Sequence, residues 1–261
     1  MVHDVALVLG GGGAAGNAWE IGVIAGLAEA GLDLTAAADL VVGTSAGATA
    51  AAQVRSGIPA ADLLASVLSP PVRPVGRNRE QPPSQPMATV FERMRAIGAA
   101  ATSAADLRRA MGAFGLESDS ILGPGAGQRR AMVAARLPRA EWPDRPMIVV
   151  AVDAHTGELA AFDRDSGVDL VDAVTASTAL PGLTPTHSIN GTRYINGGVR
   201  SGETPTLPRA MRTSWCSRRS ADGTGHHRKQ ASSRACADHR NGARTWQARS
   251  RPCASRAAAS R

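Results

Sequence analysis

The feature that most constrains this chain is a passage from apolar strand to helix through very small residues, made twice before residue 56. Val5-Ala6-Leu7-Val8-Leu9 is an unbroken apolar run, the pattern of a parallel strand buried on both faces. Gly10 to Gly13 break it, and Ala14 to Ala30 then read as a helix, with Trp19, Val23, Leu27 and Ala30 roughly on one stripe and Gly31 ending it. Asp39 to Val42 form a second short strand, Gly43 to Gly47 a sharp turn, and Ala48 to Arg55 a second helix. Strand, loop and helix repeated in this way predict a parallel α/β sheet.

The middle of the chain extends that plan. Residues 69–86 are rich in proline and arginine and read as a loop or lid-like excursion, followed by helical segments around 87–99 and 103–113. Met147 to Val152 is a third buried strand, and Gly157 turns the chain into Glu158 to Phe162, giving a hairpin. Asp169 to Thr178 reads as a helix that stops at Leu180-Pro181-Gly182. Ser188-Ile189, an Asn190-Gly191 turn and Arg193-Tyr194-Ile195 form a second hairpin that delivers Asn196-Gly197-Gly198 at its end.

Composition divides the chain near residue 202. The net charge of +7 is +10 over residues 201–261 and −3 over residues 1–200, so the basic character belongs to the tail. That tail holds no Val, Ile, Phe or Tyr and a single leucine, Leu207. Such a segment buries too little apolar surface to offset the ordering of its backbone. Two readings stand: a natural disordered basic tail, or a frameshift product. With the GC-rich codons that one lysine among so many arginines suggests, a one-base shift near Glu203 can give a helix followed by Val-Val-Val-Leu-Ser-Pro, a buried strand. The expected organisation is therefore one domain over residues 4–202 and an Arg-rich tail over 203–261 that lacks core residues.

No apolar run reaches the length of a membrane span, and the N-terminus lacks the basic start and cleavage site of a signal peptide, so the expected compartment is the cytoplasm. Cys216, Cys236 and Cys253 are spaced neither as zinc ligands nor as a disulfide framework, and no residue constellation calls for a metal or an organic cofactor.

Two motifs carry chemistry. Gly11-Gly12-Gly13-Ala14-Ala15-Gly16 stands between a strand and a helix, where glycines admit close backbone approach and the helix N-terminus directs N–H groups at an anion. A dinucleotide site also wants an acid at the tip of the next strand. That strand ends instead in Gly43-Thr44-Ser45-Ala46-Gly47, a GxSxG sequence that projects a serine hydroxyl above the sheet. One element supplies a nucleophile and the other supplies donors for a tetrahedral oxyanion. An ordinary α/β-hydrolase places several strands before its serine and ends on a catalytic histidine. Here the residues before 202 hold only His3, His155 and His187, with no acid–histidine arrangement legible around them.

The ordered set GGGGAAG, GTSAG, LPG and YINGG, spread over residues 5 to about 202, resembles the patatin-like phospholipase family. The resemblance implies a three-layer α/β/α domain with a mainly parallel sheet and the site at the C-terminal ends of its strands. It also implies a serine–aspartate dyad without histidine, acting on lipid acyl esters. Carried over, Ser45 is the nucleophile within an elbow of Gly43, Thr44, Ala46 and Gly47, and the amides of Gly11, Gly12 and Gly13 form the oxyanion hole. The family's Asp-Gly-Gly/Ala motif falls on Asn196, Gly197 and Gly198.

Two positions depart from the family pattern. Ala15 stands where an arginine or lysine is frequent. Asn196 stands where the general-base aspartate belongs, and the analogous change in a serine triad costs about four orders of magnitude in rate. Because Asn-Gly deamidates readily, conversion of Asn196 to aspartate would restore the dyad. The expected partner is a lipid or ester substrate, with transient contact at a membrane surface. The alternatives are a catalytically impaired member of the family and a nucleic-acid binder acting through its tail. The tail has no aromatic interleaving or binding motif, so no nucleic acid is expected.

Overall fold

A computed structural model describes residues 5–69, 86–123 and 125–200 of the chain. The excursion at 69–86 falls almost wholly outside the described residues, and the Arg-rich tail entirely so.

The elements follow in the order β1 (Ala6–Leu9), α1 (Gly13–Glu29), α2 (Leu34–Ala37), β2 (Leu40–Thr44), α3 (Ala46–Val54) and α4 (Ala60–Leu68). Then come α5 (Met87–Ala100), α6 (Ala104–Leu122), α7 (Ala126–Ala134), β3 (Met147–Asp153), β4 (Leu159–Phe162), α8 (Leu170–Ser177), β5 (His187–Ile189) and β6 (Thr192–Asn196). The central strands β1, β2 and β3 are parallel, and the hairpin strands β4, β5 and β6 add antiparallel pairs around β3. One face of the sheet packs its larger core against α1, α3, α4, α7 and α8, while α5 and α6 cover β3 and β6 on the other. The chain thus has the three-layer α/β/α architecture expected. Both hairpins form as read, and the Asn190-Gly191 turn takes the positive φ values, 51° and 83°, that a tight turn between twisted strands requires.

The register around β3 decides where the site lies. One edge of β3 is taken by β4 from Val149 to Val152. The other edge is shared: β2 runs along it up to the pair Thr44–Val150, and β6 comes from the opposite direction and ends at the pair Asn196–Ala151. Two strands that approach head-on along one edge bring their C-terminal ends together. Ser45 and Asn196, 151 residues apart in sequence, become neighbours by this register alone.

Two expectations about burial are corrected. β1 is not buried on both faces: Val5 and Val8 are each 39% exposed, while Leu9 is buried. The strand sits at the end of the sheet, and the α5–α6 layer stacks on β3 and β6, leaving the Ala6–Val8 face open. The stripe Trp19, Val23, Leu27 and Ala30 is not the inner face of α1. Trp19 is 69% exposed, and the helix packs through Glu20, Ile21, Ile24 and Ala25. A helix this rich in alanine, glycine and aliphatics is apolar nearly all round, so periodicity does not choose its face. Burial of Ile21 and Ile24, each contributing about 1.5–3 kcal/mol, outweighs the preference of one charged residue for water.

Candidate active site

The elbow at Ser45 has a backbone that few residues tolerate. Ser45 takes φ 58° and ψ −118°, a left-handed conformation costing on the order of 1–3 kcal/mol in a non-glycine residue. Its neighbours are small because there is no room for more. A Cβ on Gly43 would lie 2.5 Å from the Gly47 carbonyl oxygen, and one on Gly47 would lie 2.2 Å from that of Leu9. The chain can therefore turn from β2 into α3 within one residue, leaving Ser45 half-buried at the end of the sheet while Thr44 and Ala46 beside it are buried.

Two side-chain contacts hold Ser45. Its backbone N–H donates to Ser177 Oγ at 2.8 Å. Asn196 Nδ2 donates to Ser45 Oγ at 2.9 Å. Asn196 is itself fixed, its Oδ1 accepting from Gly198 N–H at 2.8 Å and its backbone N–H donating to the Ala179 carbonyl at 2.7 Å. Only an oxygen can accept from Gly198, so the NH₂ end of the amide necessarily faces the serine. Gly197 allows the approach, since a Cβ there would lie 2.3 Å from the Val150 carbonyl oxygen.

The glycine loop lies alongside. β1 and β2 pair in parallel with Leu9 opposite Gly43, so their following turns emerge side by side. Gly47 N–H donates to the Gly10 carbonyl at 2.7 Å, tying the two turns together. Gly11, Gly12 and Gly13 are exposed, and α1 starts at Gly13, so the first-turn amides have no acceptor within the helix. Sequence-separated groups of the GGGG, GTSAG and INGG motifs thus meet at one end of the sheet: amide donors, a strained serine and a hydrogen-bonded amide side chain.

The family model described as Patatin-like phospholipase matches residues 7–208. The chain belongs to that family. Among solved structures it is similar to VipD from Legionella pneumophila, at 17% identity and a TM-score of 0.42, covering 79% of this chain and 48% of VipD. It is also similar to the type III effector protein ExoU, at 22% identity and a TM-score of 0.33, covering 69% of this chain and 41% of ExoU. The chain spans about half the length of these relatives, or less. No curated protein sequence matches it.

Of the two positions read from the sequence as departures from the family pattern, Asn196 lies within hydrogen-bond distance of Ser45, and Ala15 is exposed beside the glycine loop. The expectation that no acid pairs with a histidine is corrected. His187 Nε2 lies 2.9 Å from Asp172 Oδ1, and Arg130 Nε binds the same oxygen at 2.7 Å. Burial holds His187 below its ordinary value, only partly offset by Asp172. Burial pushes the Asp172 carboxyl up, but the hydrogen bonds from Arg130 and His187 outweigh it and leave the carboxyl below the usual range. The Ser45 hydroxyl is bonded by Asn196 and not by His187, and the Asp172–His187 pair braces α8 against β5.

Ser177 is the site residue that sequence reading missed. It is fully buried in the last turn of α8, where a small polar residue just before the Leu180-Pro181-Gly182 stop was its only signal. Among the described residues no group of three or more His, Cys, Asp or Glu could hold a metal ion, and no helix is long and apolar enough to cross a membrane.

Proposed function

We propose that the chain is a serine acyl hydrolase that cleaves carboxylic esters of lipids through an acyl-enzyme on Ser45. The observation that carries this reading is the meeting of a strained Ser45, its Oγ 2.9 Å from the Asn196 amide, with the exposed glycine loop on the adjacent turn. Ser45 Oγ attacks the ester carbonyl, the amides of Gly11, Gly12 and Gly13 stabilise the oxyanion, the alcohol leaves, and water releases the acid. The lipid substrate is inferred from the family, and contact with a membrane surface follows from that substrate. We assign the hydrolase domain to residues 4–202, separate from the tail at 203–261, and a cytoplasmic site of action.

The second reading is an impaired family member that keeps the fold, and Asn196 favours it. An amide nitrogen that donates to Oγ has no basic lone pair with which to take the serine proton. The oxyanion and binding contributions survive such a loss, so the hydrolase reading predicts slow but Ser45-dependent turnover. Fluorophosphonate labelling together with hydrolysis of a short-chain ester tests it: both should be present in the wild-type chain and absent in Ser45→Ala. Turnover equal in the two chains would leave the impaired reading standing.

A further inference from the structure

The C-terminal end of α8 carries three hydroxyl side chains that behave differently. Thr175 and Thr178 donate to the carbonyls of Val171 and Val174, four residues back, at 2.6 and 2.9 Å. Such back-bonding is the ordinary habit of a helical hydroxyl. Ser177, between them, accepts from the Ser45 N–H, 132 residues away in sequence, at 2.8 Å. It is as fully buried as Ala173 and Ala176 on the same helix. An alanine would fill the place as those residues do, so packing alone is a poor account of a buried hydroxyl there.

The partner it holds is informative. The pairing of β2 with β3 ends at Thr44, so the N–H of Ser45 falls beyond the ladder. Ser45 also takes φ 58°, and a left-handed residue persists only where its surroundings over-determine it. Two residues after Ser177, the Ala179 carbonyl accepts from the Asn196 N–H at 2.7 Å. The end of α8 therefore grips Ser45 through Ser177 and Asn196 through Ala179. That end is itself fixed, because the N–H groups of Thr178 and Ala179 donate to the Val174 and Ala176 carbonyls. Arg129 Nη2, from α7, donates to the Thr178 carbonyl at 3.0 Å.

We propose that Ser177 is a positioning residue: its hydroxyl holds the elbow where Ser45 Oγ meets the Asn196 side chain. The register along β3 fixes Thr44 and Asn196, yet Ser45 stands one residue beyond its strand. What remains to be fixed is the turn, and small misplacements there are costly to a reaction that needs its atoms at attack distance. Ser177, fully buried, supplies that restraint from behind the site. The consequence for catalysis rests on the hydrolase reading above; the link from Ser45 through α8 to Asn196 does not.

In the ¹⁵N-labelled full chain, the Ser45 backbone amide and the Asn196 side-chain amide report the two ends of this link. Ser177→Ala removes the acceptor, whereas Ser177→Cys fills the place but accepts only weakly. Exchange of the Ser45 N–H with solvent should quicken by on the order of tenfold in both variants, and the Asn196 NH₂ signal should shift in both. Labelling of Ser45 by a fluorophosphonate should slow by on the order of tenfold or more. A change seen in S177A but not in S177C assigns the effect to packing and overturns the proposal. So does a Ser45 amide that responds while Asn196 stays still, or no response at either. If neither variant folds, the wild type decides. A Ser45 amide exchanging as fast as in an unstructured chain overturns the proposal, and one protected by about tenfold or more upholds it. Coupled responses in a protein whose wild type never takes the label would support the positioning role and remove the hydrolase reading instead.

Discussion

Asn196 donates to Ser45: the amide Nδ2 lies 2.9 Å from the serine Oγ, while the amide oxygen is committed to Gly198 N–H at 2.8 Å. On the proposed hydrolase reading, the serine hydroxyl faces the donor end of the amide where a base would be needed. A carboxylate in the same rotamer would keep the Gly198 bond with one oxygen and present the other to the serine as an acceptor. On that reading the hydrogen-bonding geometry suits a dyad and the basicity is missing.

Substitution at the elbow separates strain from chemistry. Ser45→Gly should abolish turnover yet raise stability by about 1 kcal/mol, because glycine adopts φ 58° without the side-chain penalty. Urea unfolding of the two chains checks this, with equal midpoints as the contrary result.

The glycines of the turns should be far less tolerant. Gly47→Ala and Gly197→Ala each place a methyl within 2.3 Å of a backbone carbonyl oxygen. Each should cost on the order of 3 kcal/mol or more, or prevent folding, whereas Gly26→Ala, with open space at its Cβ, should be neutral or stabilising. Thermal melting of the three variants gives the comparison.

The sign of the Glu20 effect on stability can be worked out from its shift. Its carboxyl ionises at about 7 in the folded chain against 4.5 as a free side chain, so between these values the folded state binds more protons. The contribution is fully present below 4.5 and lost as pH rises through 7. Unfolding measured at pH 5 and pH 8.5 should show Glu20→Gln losing a pH dependence on the order of 2 kcal/mol that the wild type retains.

Asn196 is expected to stay an amide. Deamidation requires the Gly197 nitrogen to close on the side-chain carbon, which means breaking both hydrogen bonds of a side chain that is 5% exposed. Peptide mapping of aged protein should recover Asn196 intact, in contrast to the exposed Asn190-Gly191 turn, where aspartate and isoaspartate should accumulate.

The parts of this structure legible in the sequence are those dictated by local chemistry. Apolar runs interrupted by Gly10 and Gly43 announced β1, β2 and the helices that follow them, and Asn190-Gly191 announced its hairpin. Helices α4 and α7 were not foreseen: each is only 9 residues long, too short for its apolar spacing to stand out from the neighbouring chain. The outward turn of Trp19 and the open face of β1 depend on where the other layers stop, which no local pattern encodes. Ser177 and the Asp172–His187 pair come together only through the path of α8 across the sheet. Ser45 and Asn196 could be matched by motif, but their contact is a product of β2 and β6 meeting along one edge of β3.

The measurement that tests the central claim most directly is ester turnover by Asn196→Asp, compared with the wild type and with the double variant Ser45→Ala/Asn196→Asp. If the pair at the meeting point of β2 and β6 is an acyl-transfer centre lacking only its base, N196D should gain about three to four orders of magnitude and the double variant should lose all of it. An N196D chain that folds normally and hydrolyses ester no faster than the double variant would contradict the account.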